Sequence, residues 1–481
     1  MVWRTTYAEV NKENGWEDKD NWILTDRTQV NELSGEEPKQ QLVIGLDFGT
    51  AYTKVVIGEQ RIKYAVPFQH FSSEDNPFLL PSKLAIINQQ EECLFGDITN
   101  SVQIIDDLKM RFLNRDFSEV SKVYIASYIA LVLRFVRGWL LDTHRAVYKG
   151  RQLNWMVNIG LPTANYDDEE LSKAYGDIVQ TAWGISVLPG PITIPRVREY
   201  LYKIVIHPEK IPEPYASRFL NRDLITPLPE FAVQLAGYVR SPRRQESLHL
   251  LIDVGAGTFD ITSFNIYRDR ESGEDLYPIF ANEVKQLGVR FLLAHREAKI
   301  EGCKPLFSPF GAIPQDNEFS RSAGIELEEL ESIDRSFESN VSKLILEVLQ
   351  YTKEKRYRIY TQWQNGVPTF YCGGGASVDF YRIIFRKFEE RSPPFKFTRI
   401  RLDAPEDLEH PGLPENTYDR LSVAYGLSHD PFDIGEIRKK SEVPDEEDPE
   451  HKDKLCPRCN GSGGPTGGCL ACNGSGWIKG T

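Results

Sequence analysis

The sequence predicts an α/β protein made of two related lobes, followed by a small cysteine-rich module near its C-terminal end. Three observations lead there. An Asp-x-Gly turn between apolar, β-branched stretches occurs twice, at Asp47-Phe48-Gly49-Thr50-Ala51-Tyr52 and at Asp253-Val254-Gly255-Ala256-Gly257-Thr258, offset by 206 residues (253 minus 47). Strand-like and helix-like stretches alternate between these turns and after the second. Four of the seven cysteines, Cys456, Cys459, Cys469 and Cys472, crowd the C-terminal end. Duplication at such spacing suggests two lobes facing one another across a cleft.

Composition bounds the answer. At 481 residues, 41% hydrophobic and 26% charged, the chain is long enough for two or more domains with cores of their own. A net charge of -13 argues against non-specific nucleic-acid binding, which needs a basic face. The first 40 residues are polar and mixed in charge, without the apolar stretch of a secretory leader. The richest apolar run, Tyr124 to Leu141, carries Arg134 and Arg137 and reads as a buried amphipathic helix rather than a membrane span. A cytoplasmic protein is expected, with Cys93, Cys303 and Cys372 as free thiols.

Along the chain, residues 1–40 form an extension, and 41–432 hold the two lobes. "LVIGLDFGTAYTKVVIG" reads as two strands around a tight turn, and "KLAIIN" and "WMVNIGLP" as further strands. Helices are expected around 122–144 and 168–183, and prolines at 191, 195, 208, 212 and 214 mark an insertion at about 190–222. "LPEFAVQLAGYVR" is a helix, as is a long stretch around 337–356. "TFYCGGGASVDFYRIIFRKF" reads as strand, glycine turn and helix, and "YDRLSVAYGLSHD" as a helix ending near 428. From 433 to 455 the chain is charged and interrupted by proline, a linker by composition. Residues 456–477 are the cysteine module.

The paired turns suit a nucleotide held between two hairpins. Glycines let backbone N–H groups approach phosphate without a Cβ in the way. Thr50 and Thr258 add hydroxyl donors. Carboxylates repel phosphate, so Asp47, Asp253 and Asp260 make sense with a divalent cation between them, and Mg²⁺ keeps most of its waters in such sites. A lone Asp-x-Gly is an ordinary turn. Two copies in matched settings, with an acid at 260, favour the nucleotide. No Walker motif occurs, and Asp260 stands where a dinucleotide fingerprint needs glycine.

"IGLDFGTAYTKV" and "LIDVGAGTFDITSF" resemble the two phosphate loops of the actin–hexokinase–heat-shock ATPase superfamily, above all the DnaK-type seventy-kilodalton chaperones. "TFYCGGGASVDFY" resembles the adenosine loop, "VKQLGVRF" the segment after the second phosphate loop, and "LLPSKLAI…LFGD" and "DDLKMRF" match in order. The likeness covers roughly 42–430 and implies a two-lobed actin-like fold of duplicated ribonuclease-H-like lobes. It implies that Asp47, Asp253 and Asp260 organise hydrated Mg²⁺, and that Gly49, Thr50, Ala51, Tyr52, Gly255, Ala256, Gly257 and Thr258 surround the β- and γ-phosphates of ATP. Lys109 would contact the γ-phosphate and attacking water, Glu230 would position water or metal, and Gly373, Gly374 and Gly375 would pass against adenosine. Pro229 precedes Glu230, the reverse of the heat-shock order and closer to bacterial actins.

The peptide-gripping sandwich and lid of DnaK have no counterpart in the charged, glycine-rich stretch after 430. Instead come two C-x-x-C knuckles, each followed by Asn-Gly-Ser-Gly, repeating with a period of 13 (469 minus 456). Four thiolates so spaced fit tetrahedral Zn²⁺. The pattern resembles half of the zinc region of DnaJ-type co-chaperones. The expected function is therefore a slow, Mg-dependent, chaperone-like ATPase switch that engages a protein partner or client through the zinc module, the N-terminal extension or both. The alternatives are an actin-like filament ATPase and a small-molecule kinase on the same fold.

Overall fold

The computed structural model describes residues 39–69, 71, 76–96, 98, 101–148, 151–162, 168–188, 190–206, 220–269, 273–300, 306–307, 313–445, 453–455 and 477–479. The first lobe is built on β1 (Lys39–Phe48), whose residues Leu42 to Phe48 are apolar or glycine apart from Asp47. Such a run suits a central strand covered on both faces. It turns back into β2 (Tyr52–Gly58) and then β3 (Lys63–Ala65). Helices α1 (Leu108–Leu113) and α2 (Glu119–Thr143) follow, then β4 (Gln152–Leu161), α3 (Glu169–Ser186) and β5 (Ile225–Pro229). The sheet order is β3-β2-β1-β4-β5, with the hairpins antiparallel and β1, β4 and β5 parallel.

The second lobe repeats this plan. After α4 (Glu230–Gln234) come β6 (Leu248–Val254), β7 (Phe259–Asn265), β8 (Asp275–Lys285), α5 (Val289–Lys299) and α6 (Leu327–Tyr351). Then follow β9 (Val367–Cys372), α7 (Asp379–Glu389), β10 (Phe397–Ile400) and α8 (Ser422–Leu427). The order β8-β7-β6-β9-β10, again with antiparallel hairpins and a parallel half, is the first lobe's order strand for strand. This is the duplicated, two-lobed α/β architecture that the sequence predicts.

Packing explains the long apolar helix. By length and composition α2 passes for a membrane span, yet 89% of its apolar window is buried inside the protein. Ser118 caps its start by accepting from the Ser121 N–H, as Asp168 caps α3 through Leu171. Arg134 lies fully inside, donating to the carbonyls of Ile185 and Ser186 at the end of α3 and to those of Leu188 and Gly190 just beyond it. The Arg137 guanidinium stacks 5.6 Å from the Trp155 ring and 4.9 Å from that of Trp183. Both arginines of the apolar run thus belong to the core.

Helices α4 and α8 join the lobes. A Cβ on Gly45 of β1 would come within 2.3 Å of the Ala424 carbonyl, and one on Gly426 within 1.8 Å of the Val233 carbonyl, so α8 is wedged against β1 and α4. Phe231, Val423 and Leu427 share one apolar cluster with Leu251, Phe264 and Phe370 of the second lobe.

Two segments differ from expectation. The stretch read as an insertion begins with a helix, Ile194–Tyr200, whose Ile194, Val197 and Tyr200 are buried in the first lobe's core, with Pro195 in its first turn where a missing N–H does no harm. Within the stretch read as a linker, Glu436–Arg438 is a strand pairing in parallel with β8, from Leu276↔Glu436 to Pro278↔Arg438. Ile434 is buried and Ile437 half-buried, an apolar pair hidden among charges. The chain then lies on α6 and the turn after it, through Arg356–Asp445 (3.1 Å) and Lys440 4.7 Å from the Tyr351 ring centre. Residues 1–38, Cys303 and all four C-terminal cysteines lie outside the described residues. The short strands Asp453–Leu455 and Trp477–Lys479 pair antiparallel and bring the two ends of the cysteine segment together.

Candidate functional site

Each lobe's first hairpin delivers its turn to one cleft. In both, the acid is the last residue but one of the first strand: Asp47 stands opposite Lys54, and Asp253 opposite Asp260. The cleft is lined by Asp47, Gly49, Thr50, Ala51 and Tyr52 from the first hairpin, and by Asp253, Gly255, Ala256, Thr258 and Asp260 from the second. Lys109, Glu230 and the Gly373–Gly375 turn complete it. Gly257 faces across the gap: a Cβ there would lie 3.0 Å from the Met110 sulfur and 3.4 Å from Thr50 Cγ2.

The turns are held from outside. Ser82 donates from Oγ to the Gly49 carbonyl (2.8 Å) and from its N–H to that of Ala51 (2.8 Å). The "LLPSK" stretch therefore buttresses the first turn. On the other side α5 aims its first N–H groups at the second turn, Val289 donating to the Gly255 carbonyl (3.1 Å) and Arg290 to that of Ala256 (2.8 Å). Gly288 permits this approach, since a Cβ there would be 2.6 Å from the Gly255 carbonyl oxygen. With their carbonyls so engaged, the turns are braced to offer N–H groups to an anion. Gly373 has φ +79°, and a Cβ on it would sit 2.4 Å from Asp253 Oδ1. The glycine triplet thus comes directly against the second acid.

Charge is concentrated and buried. Lys109 Nζ donates to Glu230 Oε1 at 2.8 Å, between α1 and the start of α4. Burial alone would lower the lysine's pKa, but Glu230, Tyr175 and Asp47 outweigh it and hold the ammonium charged. Glu230 is pushed up by burial, with Asp47 and Asp253 adding to the shift and Lys109 opposing it. Asp253 is raised by burial even though Gln234 Nε2 donates to its Oδ2 at 2.8 Å. Asp260 is raised well above the carboxylate range, by burial first and then by the Asp253 and Glu230 charges. Its Oδ1 is buried with no hydrogen-bond partner. A pocket of acids short of cations, with an orphaned carboxylate oxygen, fits a divalent metal. Among the described residues no three His, Cys, Asp or Glu side chains converge closely enough to ligate an ion directly.

Lys54, Gln234 and Arg420 are among the cleft residues that the sequence reading did not name. Lys54 bridges to Asp47 at 2.6 Å. Its signal was present: it stands to Asp47 as Asp260 stands to Asp253. Gln234 steadies Asp253 from α4, a tertiary contact with no motif. Arg420, just before α8, lies 5.9 Å from the Tyr52 ring centre, and a Cβ on Gly374 would be 2.9 Å from its Nη1, so it spans the first hairpin's turn and the glycine triplet.

No protein-family model matches the chain, and no curated protein matches it. Among solved structures, the chain is similar to MreB 5 of Spiroplasma citri bound to AMPPNP, at 12% identity and a TM-score of 0.41 over 81% of this chain and 95% of that one. It is also similar to MreB5 of the same organism bound to ADP, at 12% identity and a TM-score of 0.43 over 80% and 94%.

Proposed function

We propose that the protein binds Mg-ATP between its two hairpins and hydrolyses it slowly, the lobes closing on ATP and loosening after cleavage. The observation that carries this reading is the convergence of Asp47, Asp253 and Asp260 with the buried Lys109–Glu230 pair in one cleft between duplicated lobes. The N–H groups and hydroxyls of Thr50 and Thr258, with those of the neighbouring turn residues, cradle the phosphates. Lys54 and Lys109 offset their charge. Glu230 orients the attacking water and takes up its proton, held in place by Lys109. Gln234 keeps Asp253 pointed into the cleft. Gly373, Gly374 and Gly375 let backbone lie against adenosine. Magnesium, held through water by the three aspartates, supplies charge neutralisation on the phosphates. Phosphoryl transfer asks mainly for such positioning and charge balance.

The output of the switch is a further part of the proposal. The Pro229–Glu230 order favours an actin-like, self-assembling ATPase. The cysteine module favours a chaperone-like switch in which Cys456, Cys459, Cys469 and Cys472 bind Zn²⁺ and the module engages a protein partner in the cytoplasm. ATP-dependent sedimentation marks the first, and a monomer with nucleotide-dependent partner capture the second. Transfer of labelled phosphate to a small acceptor would instead mark a kinase.

The test is calorimetry and an ATPase assay on the full chain, wild type against Asp253→Asn. Binding of ATP that requires magnesium, and a turnover lowered about 100-fold or more in the variant, are expected. Folded wild-type protein that takes up no nucleotide overturns the reading.

A further inference from the structure

The two hairpins are twins in register but not in charge. Where the second lobe sets Asp260 opposite Asp253, the first sets Lys54 opposite Asp47. The Lys54 ammonium lies 2.6 Å from Asp47 Oδ2, with the side chains only 14% and 6% exposed. It also donates to the Tyr52 carbonyl at 3.4 Å. A Cβ on Gly49 would lie 3.4 Å from Lys54 Nζ, so the ammonium sits beneath the phosphate turn itself. Across the cleft, Asp260 Oδ1 is buried without a partner. Of the three carboxylates assigned to the metal, one already carries a built-in cation.

We propose that Lys54 stands in for the metal at Asp47 and makes metal binding conditional on nucleotide. A divalent ion arriving alone meets a positive charge on the carboxylate it needs, and with both side chains nearly buried the repulsion is weakly screened. A nucleoside diphosphate changes the balance. Its phosphoryl oxygens, entering at the turn above Lys54, offer the ammonium a second anion and free Asp47 for the ion that arrives with them. A lysine suits this exchange. It is a single point charge on a flexible stem, whereas the planar fork of arginine would grip the carboxylate through two bonds. The second hairpin lacks this property, since Asp253 faces another acid. The inference rests on the Mg-nucleotide reading of the cleft and adds an order of events to it.

The experiment measures Mn²⁺ binding by electron paramagnetic resonance, using full-length, zinc-replete protein freed of nucleotide, with and without ADP. Wild type is expected to bind Mn²⁺ at least about tenfold more tightly with ADP than alone, within the usual range for coupled sites. Lys54→Gln should bind Mn²⁺ alone about tenfold more tightly than wild type does. Lys54→Arg, which keeps the charge and guards against a folding defect in the glutamine variant, should exclude the metal as wild type does but respond less to ADP. Equal Mn²⁺ affinity in wild type with and without ADP overturns the inference. So does a folded Lys54→Gln whose metal affinity is unchanged, or a Lys54→Arg that binds Mn²⁺ freely. A wild type that binds no ADP under any condition overturns the reading of the cleft instead, so the two failures are distinguishable.

Discussion

His249 lies on β6 ahead of Asp253, fully buried and stacked on the rings of Phe264 and Phe370 at 5.6 and 5.8 Å. Its Nδ1 faces the Ser247 carbonyl at 2.6 Å and its Nε2 the Tyr238 hydroxyl at 3.2 Å. Burial lowers its pKa from the ordinary 6.5 to about 4. The unfolded chain therefore takes up the proton first as pH falls, and stability is lost between about 6.5 and 4. The drop corresponds to about 3 kcal/mol for this one group. Urea unfolding across that range should show the wild type's advantage over His249→Gln shrinking by about that much. An advantage constant with pH would mean that the ring is not held neutral. At this scale legibility was uneven. Asp47, Asp253 and Asp260 announce themselves because they sit beside glycine turns in repeated settings. Lys54 could have been found by carrying the repeat through to position 260. Gln234 could not, because its meeting with Asp253 depends on where α4 crosses between the sheets.

Glycines with positive φ separate elements that must bend from those that must also make room. Gly324 ends the helix Asp316–Ala323 at φ +69° with nothing near a Cβ, while Gly373 at φ +79° would drive a Cβ into Asp253 and the Val254 carbonyl. Gly324→Ala should thus cost only about 1 kcal/mol, the backbone preference alone. Gly373→Ala should cost roughly 3 kcal/mol or more, since strain and a steric clash with a buried acid combine. Chemical denaturation of the two variants measures the difference, and equal losses would show that the glycine triplet has slack against β6. The strands and glycine turns were readable because apolar runs and glycine punctuation are local signals. The strand Glu436–Arg438 was not. Its residues are two charges around one isoleucine, and an edge strand tolerates that composition because only one side of it is paired.

For the molecule as a whole, that strand decides to which lobe the C-terminal segment belongs. The chain leaves α8 at the joint, where His429 and Asp430 still accept from Asn158 and Gln41 of the first lobe, then crosses to the edge of β8 and runs along α6 as far as Asp445 in the second lobe. A nucleotide that moves the lobes relative to one another would carry the tail with the second of them. The path also bears on stability. Ile434 is 3% exposed, and burying such a side chain contributes about 1.5–3 kcal/mol. A chain ending at Phe432 loses that burial, the added strand and the Arg356–Asp445 pair together, and should unfold at a visibly lower temperature than the full chain. A chain ending at Asp445 keeps all three and should melt with the full-length protein while retaining its nucleotide affinity. Differential scanning calorimetry of the two truncations, each with and without Mg-ADP, distinguishes the cases. If the shorter chain melts with the longer one, the tail is a passive tether. If only the shorter one is destabilised, the segment through Asp445 is part of the second lobe's fold.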